Sequence, residues 1–292
     1  MELFTQIISI IGPICLVVIV GYVYALKRRP DLEAANTINI ELFTPMLIFS
    51  VLSQGNVVLE DFGQLVVAAI FVVLLPGVLS IPLAKKLNVE WKTFIPPMMF
   101  RNSGNLGLPL FVLAFGEQAL PAAVILFIVE NTLHFSLGMK MLSPRASFLR
   151  LIRIPMLQAT VLGVLFAYFG WRLPQPLQLG IDMLGQIAIP LMLFALGSRL
   201  VGMDLGRWRL GVAAGLWAPL SGLMVSIPLV WFIDFKADDA AMIILFSALP
   251  PAVLNFLLAE QFQQEPKQVA SIVLISNVVS VVTIPVVLAV LL

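Results

Sequence analysis

A train of apolar runs, each about as long as a bilayer is thick, constrains this chain more than any other feature. The runs fall at approximately 5–26, 36–54, 63–84, 93–115, 120–141, 154–170, 177–198, 208–233, 239–261 and 268–291. At 1.5 Å of rise per residue, about 20 apolar residues cross a hydrocarbon core about 30 Å thick. No water reaches the backbone there, so each run must close its own N–H and C=O hydrogen bonds, which makes it a helix. With 60% hydrophobic and 11% charged residues in 292, against about 25% charged in soluble domains, and a mean hydropathy of +1.04, little is left for a separate soluble domain. The sequence predicts an all-α membrane protein of ten transmembrane helices.

The first run has no basic segment before it, and Lys27, Arg28 and Arg29 follow it, so it reads as a retained helix rather than a cleaved leader. The single cysteine, Cys15, excludes an intramolecular disulfide and a cysteine-based metal cluster. The net charge of +1 says nothing about partners; its distribution says more. Fourteen of the seventeen Lys/Arg lie in the connectors after runs one, three, five, seven and nine: Lys27, Arg28, Arg29; Lys85, Lys86, Lys92; Lys140, Arg145, Arg150, Arg153; Arg199, Arg207, Arg209; and Lys267. The alternate connectors carry Arg172 and Lys236, and Arg101 sits within a run. Short Lys/Arg-rich loops stay cytoplasmic, so both termini are expected outside, as an even number of spans requires.

Sliding the chain over itself by 145 or 146 residues brings several segments into register. Pro45–Phe49 falls on Pro190–Phe194, Gly77 on Gly222, the stretch Ser80–Leu83 on Ser226–Leu229, and Asn131 on Asn277. A nearly constant offset through three helix pairs points to two halves, 1–146 and 147–292. Five helices per half is an odd number, so the second half enters from the opposite side and the repeat is inverted.

Run four contains Ile95-Pro96-Pro97 and then Arg101-Asn102-Ser103-Gly104-Asn105-Leu106-Gly107-Leu108-Pro109. Gly costs about 1 kcal/mol and Pro about 3 kcal/mol inside a helix, so the run is expected to break there, about 15–22 Å from its start near Lys92 and close to mid-membrane. Run nine carries Leu249-Pro250-Pro251 and Asn255 at a similar depth from the other face. Two broken helices meeting at the midplane present half-helix N-termini and unpaired backbone groups, and the positive ends favour an anion that the neighbouring Asn amides can orient.

Arg101, Glu130 and His134 are the deepest ionisable residues, and an intramembrane charge is a functional hypothesis by default. Arg101 can face a substrate carboxylate or pair with Glu130, while Glu130 and His134, one turn apart, can relay a proton. Glu41, Glu260 and Asp182 fall toward span ends and are expected to reach water or interface. No Walker loop, CxxC, HExxH or GxSxG is present, and one His and one Cys on different helices supply no catalytic or metal constellation. The chain reads as a non-enzyme without cofactor or metal.

Through Asn102-x-Gly104-x-x-Gly107-x-Pro109, the Leu249-Pro250-Pro251 break with Asn255, the Pro45 and Pro190 pair and the outside termini, the chain resembles, over essentially its whole length, the auxin efflux carrier family. That family includes bacterial permeases for malate or malonate and the plant PIN auxin carriers. The resemblance implies a ten-helix, 5+5 inverted-repeat, elevator-type fold. Helices one, two, six and seven would form a scaffold; helices three to five and eight to ten would form a mobile domain in which helices four and nine cross. It places Asn102, Ser103, Gly104, Asn105, Gly107, Pro109, Pro250, Pro251 and Asn255 around the substrate. Arg101, Glu130, His134, Asn131 and Asn277 are candidates for coupling or charge pairing. The long hydrophilic loop and the Asn-Pro-Asn sequence of the plant carriers are missing, so a bacterial inner-membrane permease for small mono- or dicarboxylates is expected rather than an auxin carrier. A similar fold in bile-acid sodium symporters leaves coupling to H+ or Na+ open, with Arg101 able to stand in place of a bound cation. The expected partners are the organic anion, the lipid bilayer and a second copy through the scaffold; a non-transporting receptor is the reading from a different class.

Overall fold

The computed structural model describes residues 2–54, 62–143, 153–201 and 206–292. Among these every regular element is helical. The first six elements are α1 (Glu2–Arg28), α2 (Glu33–Ser53), α3 (Gly63–Lys86), α4 (Trp91–Met99), α5 (Ser103–Phe115) and α6 (Glu117–Leu142). The remainder are α7 (Pro155–Phe169), α8 (Gln175–Arg199), α9 (Trp208–Phe232), α10 (Ala237–Ser247), α11 (Val253–Gln261) and α12 (Pro266–Leu291). Seven of them, α1, α2, α3, α6, α8, α9 and α12, are individually long and apolar enough to cross a membrane. The protein is an all-α, multi-pass membrane protein.

The shorter helices have visible causes. α7 has 15 residues, about 22 Å of rise, bounded by Pro155 and by Gly170, which takes the left-handed conformation (φ 66°) that closes a helix. α4 with α5, and α10 with α11, are the two pieces of runs four and nine, each cut where the prolines and glycines cluster.

Helix contacts follow small residues, as expected where lipid is as apolar as the side chains and only close packing gains energy. α1 lies along α8 at Gly21 and Gly197: a Cβ at Gly197 would run into the Val18 carbonyl, and one at Gly21 into the Phe194 carbonyl. Gly197→Val is therefore expected to destabilise the fold by about 1–3 kcal/mol, read as a lower unfolding temperature in detergent; an unchanged transition would contradict the close contact. α2 packs on α7 and α8, and α9 on α12, α3 and α10. A buried core between α3, α4, α6 and α10 holds Ala68, Val72, Phe94, Met98, Leu126 and Phe246. Leu16, Ile19 and Val20 of α1 point outward, as a lipid-facing helix requires.

The connectors associate in two groups. Gln264 Nε2 donates to Glu90 at 2.7 Å and Thr93 Oγ1 to Glu265 at 2.5 Å, joining the α3–α4 and α11–α12 connectors. Arg172 donates to the Gln54 carbonyl, joining the α7–α8 connector to the end of α2. Arg145 and Arg150, counted among the basic connector residues, lie outside the described residues. Glu41 and Glu260 are exposed. Asp182 is half-buried and accepts hydrogen bonds from Ser50 (2.5 Å) and Gln178 (2.8 Å).

Candidate functional site

The two breaks meet. α4 stops at Met99 because Phe100 turns to extended backbone (φ −97°, ψ 110°), and α5 begins after Asn102 (φ −83°, ψ 54°). On the other strand Pro250 and Pro251 lack the N–H that a helix would use, and Ala252 is extended (φ −66°, ψ 142°). Each break satisfies the other's free backbone. Arg101 and Pro251 form an antiparallel bridge. The Asn102 N–H donates to the Pro250 carbonyl at 2.7 Å, and the Ala252 N–H to the Phe100 carbonyl at 2.9 Å.

Side chains complete the crossing. Asn255 Nδ2 donates to the Phe100 carbonyl (3.0 Å), and Asn277 Nδ2 to the Pro251 carbonyl (3.0 Å) and the Val273 carbonyl (2.8 Å). Asn102 Nδ2 donates to Asn277 Oδ1 (2.7 Å), and Arg101 Nη1 to the Leu249 carbonyl (3.3 Å). Gly107 lets the breaks close up, since a Cβ there would lie 3.0 Å from the Leu249 side chain. Pro109 is buried where α5 changes from π- to α-helical winding.

Beside the crossing is a polar cavity of about 110 Å³. One wall is formed by Asn102, Ser103, Gly104 and Asn105 at the start of α5 and by Ala252, Val253 and Leu254 at the start of α11. The first N–H groups of a helix have no acceptor within it, and each such end carries about half a positive charge. Both broken helices thus aim a positive end at one space. A second wall, from α6, brings Phe127, Glu130, Asn131 and His134; the third comes from α2, α7 and α8 with Asn36, Asn39, Thr44, Met156, Met192 and Arg199.

Ser103 Oγ donates to Glu130 Oε2. Arg101 and Glu130 are both buried, at 1% exposure each. Among the described residues no carboxylate lies within 4.0 Å of the Arg101 guanidinium; its Nη2 lies against α9, where Gly222 leaves the room. Arg101 Nε and Nη2, Glu130 Oε1, Asn39 Oδ1 and Thr44 Oγ1 are buried without a hydrogen-bond partner. His134 stacks on the Phe100 ring, centroids 4.1 Å apart and planes 7° from parallel.

The residues singled out from sequence thus separate into two sets. Asn102, Ser103, Gly104, Asn105, Arg101, Glu130, Asn131 and His134 line the cavity. Pro250, Pro251, Asn255, Gly107 and Pro109 build the crossing behind it. Asn277 holds the crossing from α12 and also lines a separate apolar groove of about 440 Å³ with Ile14, Leu110 and Val281. Sequence reasoning missed Asn36, Asn39, Thr44 and Arg199. One signal pointed to them: two Asn three apart at the head of an apolar run. The structure adds another, because all three π-helical stretches among the described residues begin at cavity residues, Asn39, Ser103 and His134, and π-turns mark functional positions disproportionately.

Several known proteins share this sequence pattern. Residues 145–288 match the family described as "Membrane transport protein". A "Putative malonate transporter" of Rhizobium meliloti is 26% identical over 96% of this chain and 94% of its own length. Transporters described as uncharacterized, from Methanocaldococcus jannaschii and Methanothermobacter thermautotrophicus, are 24% and 26% identical, each over 93% of this chain and 94% of their own. Apolar helices, paired breaks and these full-length matches define a membrane transport protein rather than an enzyme. Over residues 145–288, just under half of its length, the chain is similar to that family of membrane transport proteins.

Proposed function

We propose that this permease is a secondary transporter, active or facilitative, of small organic anions of the mono- or dicarboxylate class. The observation that carries the reading is the convergence of two half-helix N-termini, on α5 and α11, on one polar cavity. Such an end favours an anion, and two of them facing one cavity are hard to reconcile with a cationic cargo. The "malonate" in the name of the Rhizobium relative agrees with the same class.

We further infer a ten-span, 5+5 inverted repeat in which α4–α5 and α10–α11 each count as one broken span. The 145–146 residue offset supports it, as does the placement of a break in the fourth and ninth positions. The contacts favour a scaffold of α1, α2, α7 and α8, since α1 packs on α8 and α2 on α7 and α8, with the other helices gathered around the crossing. The cavity lies between these groups, where an elevator movement would carry it from one side of the membrane to the other. The grouping of the connectors matches the division by charge, in favour of outside termini and a bacterial inner-membrane location.

The test is uptake of labelled malonate or malate into sealed proteoliposomes. Asn105→Ala and Asn131→Ala, both at cavity-lining positions, are expected to cut uptake about tenfold or more, the equivalent of one lost buried hydrogen bond, while folded protein is still recovered. Wild-type uptake by both variants would remove the site from consideration. Binding without flux in the unmodified protein would point instead to a receptor.

A further inference from the structure

We propose that Arg199 makes the cavity a two-point site selective for short dicarboxylates over monocarboxylates, with Asn39 and Thr44 beside it. The inference rests on the anion reading above and assigns to that site its second anchor and its substrate charge.

Arg199 is the last residue of α8 and lines the cavity on the wall contributed by α2, α7 and α8, away from the α5 and α11 ends. It is half-buried, and among the described residues it has no hydrogen-bond or salt-bridge partner. A guanidinium in that setting, with five N–H donors in a planar fork, is suited to take a carboxylate in two parallel hydrogen bonds. Asn39 and Thr44 line the same cavity from α2, 4% and 1% exposed, and Asn39 Oδ1 and Thr44 Oγ1 have no partner. A buried polar atom left without a partner costs roughly 1–3 kcal/mol, a cost relieved when a ligand supplies the missing bond. The Thr44 hydroxyl can donate to a carboxylate held in the same cavity.

Charge balance decides between one carboxylate and two. The formal charges of Arg101 and Glu130, both buried, cancel. What remains around the space is Arg199, offset in part by the α8 C-terminus on which it sits, and two helix N-termini at about half a positive charge each, a net of between one and two positive charges. A monocarboxylate bound at the helix ends leaves Arg199 uncompensated in a confined site; a dianion reaching from the helix ends to Arg199 compensates both. The volume of about 110 Å³ corresponds to roughly three or four waters at about 30 Å³ each, room for a short carbon chain between the two ends. Met156, Met192 and Phe127 supply apolar contact for the methylene carbons between the two ends.

The experiment is calorimetric titration of the purified full-length protein with malonate and succinate, and with the matched monocarboxylates propionate and butyrate, for the wild type, Arg199→Gln and Arg199→Lys. The expected result is dicarboxylate binding at least tenfold tighter than monocarboxylate binding in the wild type. Arg199→Gln should lose roughly tenfold to a hundredfold in dicarboxylate affinity, the range for a charge-assisted hydrogen bond, with monocarboxylate affinity nearly unchanged; Arg199→Lys should fall between. Equal wild-type affinity for both classes would overturn the two-point site and leave the anion reading intact. Equal weakening of both classes by Arg199→Gln would overturn the role of Arg199. A wild type that binds none of the four would overturn the anion reading itself. Unfolding temperatures of the variants separate loss of binding from loss of fold.

Discussion

Arg101→Met is expected to destroy most of the folded protein, while the double variant Arg101→Met/Glu130→Gln recovers much of it. Both side chains are 1% exposed and line the same cavity, so that each is the other's buried opposite charge although they make no ion pair within 4.0 Å. Removing one member of such a pair leaves the other as an uncompensated charge in a low dielectric, which costs about 3–5 kcal/mol, against a total stability of about 5–15 kcal/mol for most folded proteins. Met replaces the apolar stem of Arg101. Gln at 130 keeps the length of Glu and can still accept the Ser103 hydrogen bond. Recovery of monodisperse protein in detergent and its unfolding temperature read the effect. An Arg101→Met variant as stable as the wild type, or a double variant no better than the single one, would show that the two charges are not coupled.

The second large effect is an asymmetry. Asn277→Leu is expected to lose about 2–4 kcal/mol of stability, and Asn131→Leu less than about 1 kcal/mol, although the two residues coincide when the halves are superposed in sequence. Asn277 donates to the Pro251 carbonyl and accepts from Asn102, tying α12 to both breaks; its loss strands at least two buried groups at roughly 1–3 kcal/mol each. Asn131 is half-buried and, among the described residues, donates only to the Phe127 carbonyl of its own helix (2.9 Å) while lining the cavity. Its replacement should instead weaken anion binding with the fold kept. Thermal unfolding and calorimetric titration on the same preparations compare the two, and equal stability losses would contradict the division of labour.

That pair shows how far the sequence could be read. The offset matched Asn131 with Asn277 by residue type alone, but an offset carries no information about neighbours, and the neighbours differ. The breaks were legible because Pro and Gly act locally: a proline without an N–H interrupts a helix whatever surrounds it. The crossing was less legible, since the bonds from Asn255 and Asn277 reach carbonyls 155 and 26 residues away. Arg199 was hidden by a simpler explanation, counted as one basic residue among fourteen that set the orientation. Asn36, Asn39 and Thr44 looked like the polar head of an ordinary span. The expected contact between Arg101 and Glu130 depended on side-chain direction, and the guanidinium turns toward Gly222 and the Leu249 carbonyl instead.

The crossing also limits how such a machine can move. Pulling the breaks apart would leave the Asn102 and Ala252 N–H groups and the Pro250 and Phe100 carbonyls bare in a medium with no water to receive them, at several kcal/mol per group. The crossing therefore acts like a rivet between the two breaks, whose backbone groups are paired with one another. Phe127, Phe135, Met156 and Met192, which meet around the cavity from facing helices, are apolar and lose little when they slide past one another. In the elevator movement proposed above, exposure of the cargo to one side of the membrane and then the other would come from slippage along that greased seam, with the riveted breaks travelling whole.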